Sequence, residues 1–169
     1  MNKICNLIKN KKGVTSVYVI LIISVLLPLI MFLSIDVPHY LDSSRKIKNT
    51  LDNASSSAIT LLNDQKISEG VLEVDKQVAD AMIKRIIKND LSLDDNYIPL
   101  KGSIVSKKPN IKTYVVNNPK GIETVQTPID NVKINKTSVI IYAEIPVKGL
   151  FFTFNEVTMR KVAVSQAQF

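Results

Sequence analysis

One cysteine and one histidine are all that this chain of 169 residues offers to thiol or imidazole chemistry. A single cysteine excludes an internal disulfide framework and any cysteine-rich zinc site. A single histidine, His39, excludes most histidine-based metal clusters and leaves a catalytic triad only one base. Signature loops are missing too. There is no phosphate loop, no Gly-x-Ser-x-Gly elbow, no dinucleotide fingerprint and no Asp-x-Asp-x-Asp-Gly calcium loop. Acidic residues are absent before Asp36, and positions 13–35 carry no charge of either sign. What remains is 46% hydrophobic and 22% charged, with a net charge of +7, which is too apolar and too mixed in sign for a disordered chain. The length suits one domain.

The charge-free block, GVTSVYVILIISVLLPLIMFLSI, is the strongest single feature. As a helix it would run about 34 Å at ~1.5 Å per residue, against a hydrocarbon core of about 30 Å. A buried helix of a soluble protein would show a polar stripe over this length, and none is present. Pro28 is compatible with a span, since membrane helices tolerate proline. Lys3, Lys9, Lys11 and Lys12 precede the block and Asp36 follows it. The positive-inside rule then puts residues 1–12 in the cytoplasm, residues 13–35 across the membrane and residues 36–169 outside as an exported head. With four lysines in the tail, the head keeps 18 basic against 15 acidic groups, so the basic balance reads as topology and not as a nucleic-acid footprint. A cleaved secretory signal is the competing reading. Its apolar region normally runs about 7–15 residues and ends at a small-x-small site, which Leu33-Ser34-Ile35-Asp36-Val37-Pro38 does not supply. The expectation is an uncleaved signal anchor, with Cys5 an idle thiol in the reducing cytoplasmic tail.

Beyond Pro38 the periodicity is helical. Leu41, Ser44, Ile47 (or Lys48), Leu51, Ala54, Ala58, Leu61 and Leu62 recur at three- and four-residue steps, predicting an amphipathic helix over 40–64 that continues the membrane helix, with a kink at Pro38. Its small-residue stretch, Ala54-Ser55-Ser56-Ser57-Ala58, suits the close approach of another backbone. A second helix is predicted over 71–89, with Val71, Val74, Val78, Met82 and Ile86 as its stripe, widened by Ala79, Ile83 and Ile87, and with an Asp80–Lys84 pair. From about Lys101 the period becomes 2. Residues 111–116 alternate, Asn118-Pro119-Lys120-Gly121 forms a turn, and 122–127 is expected to return as the partner strand. Residues 138–147 make the strongest strand, with Val139, Ile141, Ala143 and Ile145 on one face. Residues 148–149 turn it, and 151–154 and 158–168 add strand material. The fold class expected is α+β: a single transmembrane helix running into an amphipathic helix, a second helix, then a mostly antiparallel sheet.

The order of features over residues 11–62 resembles the TadE-like and related minor pseudopilins. Lys11-Lys12-Gly13 opens a long apolar helix, a proline falls within it, and Ile35-Asp36 closes it. Arg45-Lys46-Ile47-Lys48-Asn49-Thr50-Leu51-Asp52-Asn53-Ala54 and a small-residue run follow. The resemblance implies a subunit of a tight-adherence (Flp-type) pilus or a related secretion machine. Such a subunit is anchored by its N-terminal helix and presents an α+β head outside. It further implies a prepilin peptidase junction at Gly13, leaving Val14 as the new first residue. Pilin-like sequences place glutamate at the fifth position after the cut, and here that position is Tyr18. Without a carboxylate to neutralise a neighbour's N-terminal amine in the apolar filament core, either Gly13 is not a cleavage site or the chain is a non-repeating initiator or assembly component, and the second is the expectation. Subunit contact is assigned to Leu41, Ile47, Leu51, Ala54, Ala58 and Leu61.

The remaining polar features have plain readings. His39 is expected to be interfacial or solvated, and no metal, cofactor or catalytic residue is assigned. Asp90, Asp94 and Asp95 read as a helix-to-strand loop and not as a calcium site. Lys107-Lys108, and Lys133 with Lys136, read as solvated surface. The span implies the lipid bilayer as a partner, and the resemblance implies other pilin-like or pilus-assembly membrane proteins and, at the junction, a prepilin peptidase; no nucleic acid and no enzymatic activity are expected. The rival is a membrane-anchored extracytoplasmic enzyme or solute-binding module whose head works alone, recognisable by a deep pocket with converging polar groups.

Overall fold

The structure, a computed structural model, describes residues 11–61, 66, 68, 71–151 and 156–167. Lys3, Cys5 and Lys9 of the tail, Leu62 of the predicted helical face, residues 152–154 of the strand reading and Gln168 lie outside the described residues. Helix α1 spans Lys11–Met31, a π-helical turn covers Phe32–Asp36, and helix α2 spans Val37–Ile59. Together they form one unbroken helical run whose part from Gly13 to Ile59 is 47 residues, roughly 70 Å at ~1.5 Å per residue. Pro38 sits in the first turn of α2, where its missing N–H costs little. Just before it, the π turn widens the ladder, and Val37 N–H reaches back to the Phe32 carbonyl. The irregularity expected at Pro38 is thus taken up one turn earlier.

Helix α3 spans Lys76–Asp90. The start predicted at residue 71 is displaced by a cap: the Asp75 carboxylate accepts from Gln77 N–H at 2.8 Å and Val78 N–H at 3.2 Å. Val74 is left in extended backbone, its N–H and C=O both bonded at 3.1 Å by the Asn117 side-chain amide. The apolar stripe is rotated accordingly. Ala79, Ile83 and Ile87 are buried, Met82 and Ile86 flank them, and Val78 points into solvent. The expected Asp80–Lys84 pair does not form; one Asp80 carboxylate oxygen is enclosed without a hydrogen-bond partner.

The strands are β1 (Asn110–Val116), β2 (Glu123–Gln126), β3 (Asn131–Ile134), β4 (Ser138–Lys148) and β5 (Glu156–Gln166). A three-stranded antiparallel sheet has the order β1-β4-β5, and β2-β3 form a separate hairpin. This corrects the pairing expected for residues 122–127. Their partner is β3, with Thr124 opposite Lys133, and β1 instead pairs with β4, with Thr113 opposite Ile141. The reason is local: Thr127-Pro128-Ile129-Asp130 makes a tight turn closed by Thr127 and Asp130, and the nearest strand in sequence wins.

The core lies between the sheet and the two head helices. Val139, Ile141, Ala143, Ile145 and Val147 of β4 form its floor, Met159 and Ala163 of β5 its side, and α2 and α3 its roof. As the central strand, β4 is also covered on its reverse face. Ile140 sits between Tyr114 and Val164, and Tyr142 between Lys112 and Val162. The chain is α+β, with one long apolar helix near its N-terminus and antiparallel sheets behind it.

Candidate functional site

Two surfaces set this molecule apart from an ordinary α+β head: the apolar half of the long helix, and the place where that helix meets the head. From Val17 to Ile30 every large apolar side chain of α1 is exposed, with no buried stripe along the segment. Among the described residues, nothing in the head folds back over it. An apolar helix uncovered on all sides needs a hydrocarbon or protein surround. Gly13 and Val14 lie in the first turns of α1, and Tyr18 stands 63% exposed on the same bare surface.

The six residues expected to make subunit contact separate into two groups. Ile47, Leu51, Ala54 and Ala58 have no exposed surface and belong to the chain's own core. Helix α2 presents this face to β4, β5 and α3, so these four side chains are unavailable to a neighbouring subunit. Leu41 lies off that face and is 55% exposed. Leu61 falls after the end of α2, partly exposed, its N–H bonded to the Ala58 carbonyl. The small-residue stretch does admit a second backbone, that of β5. Ser55 and Ser56 Oγ stand 2.9 Å and 3.1 Å from Ser165 Oγ, and Lys48 Nζ donates to the Val162 carbonyl at 3.0 Å while pairing with Asp52.

Where the helix leaves its apolar half, two side chains bind the β4–β5 turn. Asp36, in the π turn, is fully covered, and its Oδ1 accepts the Phe151 backbone N–H at 2.7 Å. One turn on, the His39 ring donates from Nε2 to the Lys148 carbonyl at 3.1 Å. The Tyr40 hydroxyl, next along, has its pKa raised by burial and by the negative charge of Asp36. Sequence reasoning read Asp36 as the end of a span and His39 as an idle neighbour. It missed that both fix the head to the helix. The available signal was slight: a lone acid at the close of a charge-free run, three residues before the only histidine.

The acidic loop after α3 is internally engaged. Asp94 accepts from the Asn96 and Ile98 N–H groups at 2.8 Å and 2.7 Å, and Asp95 pairs with Lys88 at 2.6 Å, which holds its carboxyl below the usual range. A cleft of about 260 Å³ opens between α3 and β1, with Ile83, Ile87 and Ile111 as floor and Lys84, Lys108 and Tyr97 at the rim. Tyr97 sits there with φ of 62°, a left-handed conformation uncommon for a bulky residue. Among the described residues, no three His, Cys, Asp or Glu side chains stand close enough to hold a metal. No family model matches the chain, and neither the curated proteins nor the solved structures compared with it give a match.

Proposed function

We propose that the chain is a membrane-anchored, minor pilin-like (TadE-like) component of a pilus assembly or secretion apparatus. It lies with the N-terminus in the cytoplasm and the head outside, and it acts by protein–protein contact. The observation that carries the reading is the single helix from Gly13 to Ile59, bare and apolar through its first half and embedded in an α+β head through its second. A continuous helix of this kind transmits position rigidly between bilayer and head. Its exposed apolar surface suits lipid and the helices of neighbouring subunits alike. Since Ile47, Leu51, Ala54 and Ala58 are occupied within the head, subunit contact falls to α1 and to the outward side of α2 at Leu41. Tyr18 in place of an acid supports a non-repeating role.

Two measurements test this. Mass spectrometry of the mature protein should find Val14 at the N-terminus; an intact Met1 removes peptidase processing from the proposal. Photo-crosslinkers at Tyr18 and Leu41, but not at Thr124 on the β2–β3 hairpin, should capture other membrane-anchored helices. A detergent-solubilised chain that travels alone, with no crosslinked partner, defeats the assembly role. The second reading, a head that binds a solute by itself, rests on the cleft with its two ammonium groups above an apolar floor. It would be favoured if the detergent-solubilised chain, free of partners, bound a small carboxylate and Lys84→Ala abolished the binding.

A further inference from the structure

The end of β4 and the turn after it run along the long helix toward its apolar half. The Lys148 carbonyl is held by His39, and three residues later Phe151 N–H is held by Asp36. On the helix those two anchors are three positions apart, about 4.5 Å along the axis at ~1.5 Å per residue. His39 is the one farther from the charge-free segment. Going from Lys148 to Phe151, the chain therefore descends toward that segment, while Lys148 itself pairs with Glu156 in the sheet. On this descent stand Leu150, 62% exposed, and Phe151, 44% exposed. The helix residues just before Asp36 on the same level, Leu33 and Ile35, are exposed as well, so the apolar surface is continuous in height from helix to turn.

Two large apolar side chains held outward at the height where an apolar helix ends have a specific surround available, the interfacial layer of the bilayer that the helix enters. Lys148, exposed above them, is placed for headgroup phosphates. The geometry points to a second membrane contact: Leu150 and Phe151 insert into the lipid interface on the head's side, and the Asp36 and His39 hydrogen bonds lock that contact to the helix. The head is then held at two points and keeps a fixed tilt on the bilayer. This rests on α1 being a membrane span, and it adds a lipid-binding surface to the head itself.

The chain contains no tryptophan, so one introduced indole reports alone. Full-length Phe151→Trp and Leu150→Trp, each reconstituted in phosphatidylcholine–phosphatidylglycerol vesicles, should emit at blue-shifted wavelength. Lipids brominated near the headgroup should quench them more strongly than lipids brominated deep in the chain. Leu21→Trp in the span should be quenched most by the deep bromines, and Ile122→Trp, 77% exposed beside the β2–β3 hairpin, should be neither shifted nor quenched. Using two tip positions keeps the test alive if one variant does not fold. If Leu21→Trp is quenched while both tip probes show solvent-exposed emission, the second contact is overturned and the span stands. Blue-shifted tip emission without quenching overturns it also, and assigns the tip to a protein neighbour. An unquenched Leu21→Trp overturns the span and this inference with it.

Discussion

Asp36 accepts the backbone N–H of Phe151 at 2.7 Å across 115 positions of sequence, from a site with no exposed surface. A covered carboxylate is tolerable only where donors meet it, and here the donor belongs to the turn that must be fixed to the helix. Hydrogen bonds to charged groups contribute about 1.5–3 kcal/mol. Asp36→Ala is therefore expected to lower the stability of the solubilised chain by about that amount. Asp36→Asn, which keeps an acceptor oxygen, should lose less. Amide exchange at Phe151 should quicken in both variants. Wild-type exchange at Phe151 in Asp36→Ala would show that the bond does not hold the turn.

The small residues of α2 set the distance between helix and sheet. Ala54 and Ala58 have no exposed surface, and the Ser55 and Ser165 hydroxyls meet at 2.9 Å, so β5 lies close against this stretch. Ala54→Leu must push the elements apart or force strained rotamers, a cost of about 1–3 kcal/mol for overpacking. Asn53, exposed one position earlier on the same helix, offers a control, and Asn53→Leu should change stability little. Thermal unfolding of the two variants side by side would decide it; equal midpoints would mean that α2 and β5 are not tightly packed.

Much of this fold could be read from residue order, and the failures share a cause. The charge-free helix, the alternation of Val139, Ile141, Ala143 and Ile145, and the helices-then-sheet order all follow from local period. The start of α3 did not, because the Asp75 cap overrides the apolar Val71 and Val74, and Asn117, 43 positions away, claims the Val74 backbone. The partner of β1 did not either. Two strands of similar character compete for it, and the short loop at 127–130 settles the matter by joining β2 to β3 first. The apolar residues of α2 were visible as a face, but a helical period does not say whether the face turns toward its own head or another's. For the same reason the attachment at Asp36 and His39 was not legible: a hydrogen bond to a distant backbone leaves no periodic trace.

Acid should loosen the head at two glutamates. Glu144 accepts from Tyr142 Oη at 2.5 Å and from Asn110 at 3.2 Å, with Arg160 3.2 Å away, and Glu156 accepts from Ser106 at 2.8 Å and Lys107 at 3.0 Å. Those bonds hold both carboxyls below the ordinary glutamate range. The folded chain binds these protons more weakly than the unfolded chain. The stabilisation is fully present above the ordinary carboxyl pKa and is lost as pH falls through the depressed folded values. Melting midpoints recorded from neutral pH down through the carboxylate range should drop, and Glu144→Gln should flatten part of that slope. Tyr142→Phe should move the Glu144 titration upward in an NMR series, and an unmoved titration would discount the Tyr142 bond as its cause.

Leu26 lies near the middle of the charge-free stretch, 46% exposed in the isolated chain, with no charged side chain between it and Lys12 on one side or Asp36 on the other. If α1 spans a bilayer, a lysine there sits close to the midplane, where insertion scales put the cost at about 3 kcal/mol. Its four-carbon stem can lift the ammonium only part of the way to the interface. Leu26→Lys is expected to shift the chain from the carbonate-resistant membrane fraction into the extractable one. Leu41→Lys places the same charge at an exposed position beyond Asp36 and should leave the partition unchanged. The contrast separates a site-specific cost from a general effect of added charge on expression or folding. Full retention of Leu26→Lys in the resistant fraction would mean that α1 is held by something other than the hydrocarbon core.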